Sequence, residues 1–397
     1  MADGLKETVY LDYAATTPVD PRVRDRMVMC LDQAEGFGNP ASTTHIYGEQ
    51  AATVVRQAAM DVAALINATP EELVWTSGAT ESDNLAILGA ARFRSMKGRH
   101  IVTVATEHKA VLESCAQLEQ EGFVVTYLRP DSAGLVAPED FAAALRPDTT
   151  LVSVMHANNE TGVVQDIAAI GAVCRQHDVL LHVDAAQSIG KLPVDVCAQQ
   201  IDLLSLNAHK ACGPKGVGAL YLNHERIRRI APLLYGGGQQ RGIRPGTLAV
   251  HQIAGMGETL RILTDEMEAE VSRVALLRDR LWQGIGQLPG VVMNGHPAQR
   301  LCSILNVSVA GVEGESLRFA LDDLAVSSGS ACNSASGEPS YVLRSLGLSD
   351  QQAEASIRFS LGRYTTEAEI DQAVNSFAGA VGYLQALSSG AGMVVNG

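Results

Sequence analysis

Two residues of opposite charge follow consecutive apolar strands in the middle of the chain. The segment Val179–Gln187 indicates a buried strand that ends in the carboxylate of Asp184, and the next strand ends just before His209 and Lys210. The interval between Asp184 and Lys210 fits one strand–helix–strand crossover, which places both side chains at the same edge of neighbouring strands. A carboxylate at such an edge is a functional group or a helix cap, and a single lysine there is usually a solvated surface charge.

Together, this acid and this lysine suit one kind of cofactor chemistry. A lysine amine forms a Schiff base with an aldehyde, and an acid opposite a pyridine nitrogen keeps that nitrogen protonated, so that the ring accepts electrons from a carbanion. The glycine-containing stretch Gly213–Gly218 follows directly after Lys210. We therefore predict that Lys210 binds pyridoxal phosphate and that Asp184 faces the ring nitrogen.

A phosphate-bearing cofactor also needs an anion site, and the stretch Thr76–Asn84 is a candidate for it. This stretch follows a strand and opens a helix, so backbone N–H groups and the helix dipole meet near Ala79 and Thr80. The Thr80 hydroxyl adds a further donor. Taken alone, the motif more often forms a capping turn that holds no ligand.

Three polar side chains at other strand ends complete the expected cofactor site. His108, in Thr106–Ala110, is expected to stack on the ring and to move protons, or else to be a hydrogen-bonded histidine at a strand end. Asn159 and Gln187 are placed to hydrogen-bond the phenolic oxygen of the ring. Because five strand ends converge on the needs of one cofactor, the functional interpretation is favoured for the whole set.

A cysteine and an arginine near the end of the chain supply the remaining chemistry. Cys332 stands in Ala325–Gly337, a stretch rich in serine, glycine and alanine that we expect to be mobile and to present the thiol. The alternative is a surface loop with an incidental cysteine. Arg358 lies in a predicted strand, where its planar fork suits an α-carboxylate or a structural ion pair. Arg241 is expected to join the phosphate site or to line a turn.

The composition argues against several classes of protein, including nucleic-acid-binding, membrane-spanning and disulfide-rich proteins. The 397 residues carry a net charge of −14, which argues against nucleic acid as the primary ligand. No apolar run reaches the ~20 residues of a membrane span, and the start, Met1 to Tyr10, lacks a signal-peptide pattern. The seven cysteines include no C-x-x-C pair, so we expect neither a metal site nor a disulfide framework. These features predict a cytoplasmic globular protein without a direct nucleic-acid or membrane partner.

The order of predicted elements indicates an α/β fold. Short β-branched runs alternate with helix-like stretches, which is typical of a doubly wound, mainly parallel sheet that binds ligands at the carboxyl ends of its strands. The predicted strands are Leu73–Thr76, His100–Thr106, Phe123–Leu128, Leu151–His156, Val179–Asp184, Asp202–Asn207 and Val217–Leu222.

A change of pattern at about Ala254, to a long charged helix followed by further strands, predicts a second domain. We expect a large cofactor-binding domain over residues 14–257. Residues 1–13 and 258–387 are expected to form a smaller α+β domain. Residues 388–397 are expected to be a mobile tail.

The chain resembles the cysteine desulfurases of the NifS/IscS type, members of the class V aminotransferase group with the fold-type I architecture of pyridoxal-phosphate-dependent transferases. The likeness extends to about Leu387. The matching motifs, in family order, are Leu11–Pro18, Phe37–Pro40, Thr76–Asn84, Thr106–Ala110, Asn158–Glu160, His182–Gln187, His209–Lys210, Arg244–Thr247, Ser327–Cys332 and Ile357–Arg363. The resemblance implies a homodimer that converts L-cysteine to L-alanine and passes the sulfur to acceptor proteins, as in iron–sulfur cluster assembly.

The resemblance also implies a role for each matching site residue. Pyridoxal phosphate would be carried by Lys210 and contacted by Ala79, Thr80, His108, Asn159, Asp184, Gln187, Asn207, His209 and, from a partner subunit, Thr247. Cys332 would carry the persulfide, and Lys210 and His108 would act with it in catalysis. Arg358, with Asn159, would bind the substrate carboxylate.

The sequence departs from the family pattern beside the cofactor lysine. Relatives usually have Ser-Gly before the His-Lys pair, where this chain has Asn207 and Ala208. An amide that reaches further thereby replaces a hydroxyl, so we expect weaker cofactor retention than in typical relatives. Cys212, Gln240 and Pro245 also differ from the common residues. The scaffold-docking segment of the family is not recognisable in Ser388–Gly397.

Alternative functions remain open at this stage. Selenocysteine lyase activity, transamination, or a desulfurase dedicated to thiolation of tRNA, a cofactor or DNA would use the same fold. A presented cysteine has no use in transamination, which argues against that reaction. A binding protein that has lost catalysis is disfavoured because both Lys210 and Cys332 are present.

Overall fold

The computed structural model describes residues 8–32, 36–328 and 338–390. The strands are β1 (Val9–Tyr10), β2 (Leu73–Thr76), β3 (His100–Val104), β4 (Val124–Leu128), β5 (Thr149–Met155), β6 (Leu180–Asp184), β7 (Leu203–Asn207), β8 (Gly218–Leu222), β9 (Val291–Met293), β10 (Ile304–Val309), β11 (Leu324–Ala325), β12 (Ser327–Ser328) and β13 (Ser356–Ser360). The α-helices are α1 (Pro21–Met29), α2 (Ile46–Leu65), α3 (Ala79–Phe93), α4 (Lys109–Gln120), α5 (Pro138–Ala144), α6 (Ile167–Gln176), α7 (Val250–Ile285), α8 (Gly314–Ala320), α9 (Tyr341–Ser345), α10 (Asp350–Glu354) and α11 (Glu367–Gly390).

Seven strands form the main sheet, in the order β2-β8-β7-β6-β5-β3-β4. Only β8 is antiparallel to its neighbours β2 and β7, and the other neighbouring pairs are parallel. Each strand lies within two residues of a predicted run. Successive side chains such as Leu151 and Val152 enter different hydrophobic clusters on the two faces. The predicted doubly wound, mainly parallel α/β sheet is therefore confirmed.

The connection between β6 and β7 differs from the prediction. We expected a strand–helix–strand crossover, but residues 185–202 form turns and contain no helix. Gly190 has a φ of +72°, and Pro193 follows it closely. A positive φ and a proline without a backbone N–H both interrupt helical hydrogen bonding, so this short connection turns without a helix.

A second, antiparallel sheet has the order β12-β13-β10-β9. Close to it, β1 pairs in parallel with β11, and Asp12 forms a bridge to Ser360 at the end of β13. The N-terminal residues thus lie against the C-terminal part of the chain. This arrangement brings Asp12 beside Arg358, which lies in the middle of β13.

The long helix α7 joins the two hydrophobic regions. Its first part contributes Ile253, Met256 and Leu260 to the core of the main sheet, and its last part contributes Leu277 and Leu281 to the core of the second sheet. With 36 residues it is about 54 Å long. The helix therefore continues through the expected boundary at residue 257, and the exact division into domains stays a prediction.

The end of the chain is helical further than expected. α11 continues to Gly390, three residues into the predicted tail, and residues 391–397 lie outside the described residues. Within the described parts of the chain, no helix is both long enough and apolar enough to cross a membrane.

Candidate active site

A cavity of about 520 Å³ opens at the carboxyl ends of β5, β6 and β7. It brings together most of the side chains that the sequence singled out. The predicted residues that line it are Ala79, Thr80, His108, Asn159, Asp184, Gln187, Asn207, His209 and Lys210. Thr247 and Arg358 do not line it, and Cys332 lies outside the described residues.

Asp184 and Lys210 lie at the same edge of neighbouring strands, as the spacing predicted. β6 ends at Asp184 and runs parallel to β7, with Asp184 opposite Ser205. The Asp184 carboxylate is 3% exposed and accepts a hydrogen bond from the backbone N–H of Ala186 at 2.8 Å. The Lys191 ammonium donates to the backbone oxygen of Lys210 at 3.0 Å and to that of Gln187 at 3.1 Å. Both loops at this edge are therefore connected through one half-buried ammonium group, that of Lys191.

The N-terminus of α3 forms part of the cavity wall. Gly78 precedes the helix with a φ of +152° and provides no side-chain cap for its N–H groups. A Cβ atom on Gly78 would meet nothing within 4 Å, whereas one on Gly218 would come within 2.7 Å of the Gly78 Cα atom. The absence of a side chain at Gly218 thus lets the backbone of β8 approach that of Gly78 closely. The space around Gly78 stays open, and the N–H groups at the start of α3 beside it favour an anion.

His108 is held in one tautomer by its position at the start of α4. Its Nδ1 atom accepts a hydrogen bond from the backbone N–H of Ala110 at 3.1 Å and caps the helix. Burial lowers the pKa of His108, and Lys210 lowers it further while Asp184 opposes this. The neutral ring therefore carries its proton on Nε2, since Nδ1 is the acceptor.

Hydrogen bonds hold the Gln187 carboxamide and the turn that carries Asn159 at the cavity. Gln187 donates through Nε2 to the backbone oxygen of Ala14 at 2.8 Å. Its buried Oε1 atom has no hydrogen-bond partner among the described residues. Asn159 follows Asn158, whose Oδ1 accepts the N–H groups of Glu160 and Thr161, two and three residues further along, at 2.9 Å each. The turn around Asn159 is thereby rigid, and Gln187 retains an acceptor for a ligand.

Asn207 and His209 both make contacts within the chain. The Asn207 Nδ2 atom donates to the backbone oxygen of Ala186 at 3.4 Å, and its Oδ1 accepts from the Lys210 N–H at 3.4 Å. His209 Nδ1 lies 3.2 Å from the hydroxyl of Thr16. Burial, with Lys210 as a second cause, lowers the pKa of His209 to about 4. His209 is therefore neutral and available as a hydrogen-bond donor or acceptor.

Arg358 is buried just beyond the cavity and forms an ion pair. Its Nη2 atom lies 2.6 Å from Oδ1 of Asp12 and donates to the Ser327 hydroxyl at 2.9 Å. Its Nη1 atom donates to the backbone oxygen of Asn159 at 2.8 Å, which connects it to the cavity wall. The structural ion pair considered from the sequence is thus present in this structure.

Neither Arg241 nor Thr247, which was expected to act from a partner subunit, lines the cavity of its own chain. Arg241 has a φ of 61° in a tight turn and donates to the backbone oxygen of Glu71, so it lines a turn rather than the cavity. Thr247 is exposed on the surface of the chain.

Two buried acids at or near the cavity, Asp83 and Glu107, were not identified from the sequence as functional. Asp83 lines the cavity, and its Oδ1 atom lies 3.6 Å from Nε2 of His182. Burial, and then Asp184, raises the pKa of Asp83 well above its usual value. Burial likewise raises the pKa of Glu107. Asp83 lies in the motif Thr76–Asn84 and His182 in the motif His182–Gln187. Membership of these motifs is the feature of the sequence that could have identified them.

The comparisons with known proteins decide the family. Residues 9–373 match the family model described as aminotransferase class-V. The cysteine desulfurase IscS of Shewanella sediminis (strain HAW-EB3) is 56% identical over 384 residues, which cover 97% of this chain and 95% of that protein. This chain belongs to the class-V aminotransferases, as a cysteine desulfurase of the NifS/IscS type.

Solved structures agree with this family. A NifS-like protein that is 34% identical superposes with a TM-score of 0.88, covering 95% of this chain and 100% of that one. A structure described as SspA in complex with cysteine is 38% identical, with a TM-score of 0.81 and coverage of 90% and 100%. The resemblance drawn from the motifs and the fold-type I architecture are both confirmed.

The residues of the cavity fit pyridoxal phosphate, the cofactor typical of this fold type. Lys210 supplies an amine, Asp184 a buried carboxylate, and the N-terminus of α3 an anion site. The buried Gln187 Oε1 atom, which has no partner among the described residues, supplies an acceptor in the same cavity. These features lie in one cavity, as a single ring with a phosphate arm requires.

Proposed function

We propose that this protein is a pyridoxal-phosphate-dependent cysteine desulfurase that removes sulfur from L-cysteine, forms L-alanine and carries the sulfur as a persulfide on Cys332. The observation that carries the proposal is the placement of Asp184 and Lys210 at the ends of adjacent parallel strands in one cavity with His108. Family membership supports the same activity. Acceptor proteins, including those of iron–sulfur cluster assembly, are the proposed recipients.

The cavity residues would hold the cofactor at three points. Lys210 would bind it covalently, Asp184 would accept a hydrogen bond from its ring nitrogen, and the N-terminus of α3 with Thr80 would bind its phosphate. When bound, pyridoxal phosphate supplies an electron-accepting ring that makes the Cα proton of an amino acid acidic. The Lys210 amine then removes that proton from the substrate, and the neutral His108 ring, whose Nδ1 accepts from Ala110, would donate a proton from Nε2.

The sulfur transfer balances without an external oxidant. The Cys332 thiolate attacks the sulfur of L-cysteine, so a sulfur–sulfur bond forms as the carbon–sulfur bond breaks. The electron pair of the broken bond stays with the substrate carbon, which is reduced and gains a proton to become the methyl group of L-alanine. The transferred sulfur is oxidised to the persulfide level.

Arg358 would bind the α-carboxylate of the substrate, with Asn159 beside it. The Arg358 guanidinium already contacts the backbone oxygen of Asn159, so a carboxylate at this position would lie at the rim of the cavity. We also propose a cytoplasmic homodimer in which Thr247 of the partner subunit completes the phosphate site. The exposed position of Thr247 is compatible with such a contact.

Replacement of Cys332 tests the proposal. With L-cysteine and a thiol reductant, the Cys332→Ser variant should release no sulfide and form no L-alanine by turnover, while it retains the absorbance band of the bound cofactor. Cys197 is an exposed cysteine away from the cavity, so Cys197→Ser is a matched control that should keep full activity. Sustained turnover by Cys332→Ser would refute the assignment of the nucleophile.

A further inference from the structure

The acid that pairs with Arg358 comes from the opposite end of the chain. Asp12 and Ser327 both contact Nη2 of Arg358, and the Ser327 hydroxyl also donates to Oδ1 of Asp12 at 2.9 Å. The Arg358 side chain is 6% exposed, whereas that of Asp12 is 22% exposed. One partner of this ion pair is therefore buried, and the other has access to solvent.

The hydrogen-bond donors of Arg358 are incompletely used. Both N–H groups of Nη2 have acceptors in Asp12 and Ser327, and Nη1 donates to Asn159. The Nε atom is buried and has no partner among the described residues. A carboxylate binds a guanidinium best through two parallel N–H groups, one of them commonly on Nη2. Asp12 thus occupies a donor that such a carboxylate would use.

Asp12 has the means to leave Arg358 without disturbing the fold. Its backbone is fixed, because Ser360 donates to the backbone oxygen of Leu11 at 2.8 Å and accepts from the N–H of Tyr13 at 3.2 Å. The carboxylate itself is partly exposed, so rotation of the side chain moves it into water. Only the ion pair and the contact with Ser327 have to break.

We propose that the Asp12 carboxylate is an internal competitor that occupies Arg358 until the substrate carboxylate replaces it. This inference rests on the proposed role of Arg358. The substrate carboxylate replaces that of Asp12, and Asp12 returns when the product leaves. Because Asp12 occupies Arg358 in part of the molecules, the apparent affinity for every amino acid is reduced to the fraction of molecules in which Arg358 is free of Asp12. It acts on ligands that carry a carboxylate and not on analogues that lack one.

The test compares L-alanine, the proposed product, with L-alaninamide, in which a neutral amide replaces the carboxylate. Binding of both to the holoenzyme is measured by titration calorimetry for the wild type and for Asp12→Asn. The variant retains the shape and acceptor atom of Asp12 but loses its charge. We expect L-alanine to bind roughly three-fold to ten-fold more tightly to Asp12→Asn, a change of the size of one ion pair. L-alaninamide should change by less than two-fold.

Arg358→Gln separates failure of this inference from failure of the proposed function. We expect Arg358→Gln to weaken L-alanine binding and to spare L-alaninamide, and Asp12→Asn to have no added effect in that background. If Arg358→Gln has no effect on L-alanine, Arg358 is not the carboxylate site and the inference fails with it. If Arg358→Gln weakens L-alanine but Asp12→Asn does not strengthen it, the inference alone is overturned.

A second variant guards against misfolding of Asp12→Asn. Ser327→Ala removes one of the two hydrogen bonds that orient the Asp12 carboxylate, so it should strengthen L-alanine binding in the same direction and by a smaller factor. Weaker binding of L-alanine to both variants, with L-alaninamide unchanged, would show that Asp12 supports Arg358 rather than competing for it, and would overturn the proposal.

Discussion

The Nδ1 atom of His108 accepts a hydrogen bond from the backbone N–H of Ala110 at 3.1 Å. The same ring therefore caps α4 and lines the cavity. A loss of activity after a change at this position has two possible origins, loss of the cap or loss of the imidazole. Asparagine caps a helix but transfers no proton, so it separates the two.

Both His108→Ala and His108→Asn should lose activity by roughly 10²-fold to 10⁴-fold, because neither retains a proton-transfer group. Only His108→Ala should also lose about 1 kcal/mol of stability through the missing cap. Rates of L-alanine formation and denaturant unfolding of the same preparations measure the two effects. Activity of His108→Asn close to that of the wild type would assign His108 a purely structural role.

Asn207 should make cofactor binding weaker than a serine would. Its amide donates to the backbone oxygen of Ala186 and accepts from the N–H of Lys210, each at the long distance of 3.4 Å. In Asn207→Ser, a hydroxyl at the phosphate should slow cofactor release by roughly two-fold to ten-fold, which is the worth of one hydrogen bond. Release is followed by dialysis and absorbance, with Asn207→Ala as the control that gains no donor. Release from Asn207→Ser as fast as from Asn207→Ala would contradict this.

Glu160 should make stability depend on pH. Burial raises the pKa of Glu160 to about 6, against the opposing effects of the Ser340 hydroxyl and Arg358. Between the unfolded pKa of 4.5 and about 6, the folded chain keeps a proton that the unfolded chain has lost. The stabilising contribution is complete below pH 4.5 and is lost as the pH rises through 6. It amounts to about 2 kcal/mol.

Glu160→Gln removes this titration while it keeps an acceptor for Ser340. The stability of the wild type relative to Glu160→Gln should therefore fall by about 2 kcal/mol from pH 4.5 to pH 7. Denaturant unfolding at fixed protein and cofactor concentration measures the difference. Glu113 is exposed on α4, and Glu113→Gln should show no such change. A pH-independent difference for Glu160→Gln would contradict the prediction.

Most of the main sheet and its rim could be predicted from the sequence, because both depend on local patterns. The runs that became β5 and β6 are mainly apolar, Asp184 is the last residue of β6, and Lys210 follows three residues after β7. Parallel strands then place such residues at one edge. The placement of Asp184 and Lys210 at one edge could therefore be predicted without knowledge of long-range packing.

The relationships that could not be predicted depend on residues far apart in the chain. Asp12 and Arg358 are 346 residues apart and meet only because β1 lies against the second sheet. The raised pKa of Asp83 arises from burial beside Asp184, which no motif encodes. The turns at Gly190 replaced an expected helix because local backbone breaks outweighed the usual form of a parallel connection.

The most direct test of the account follows the sulfur atom. Holoenzyme is mixed with one equivalent of L-cysteine without reductant, quenched with an alkylating reagent, digested and analysed by mass spectrometry. We expect the peptide that contains Cys332 to gain the mass of one sulfur atom, in proportion to the L-alanine formed, while the peptide with the exposed Cys197 gains none. Stoichiometric L-alanine with no added sulfur on Cys332 would contradict the proposed function.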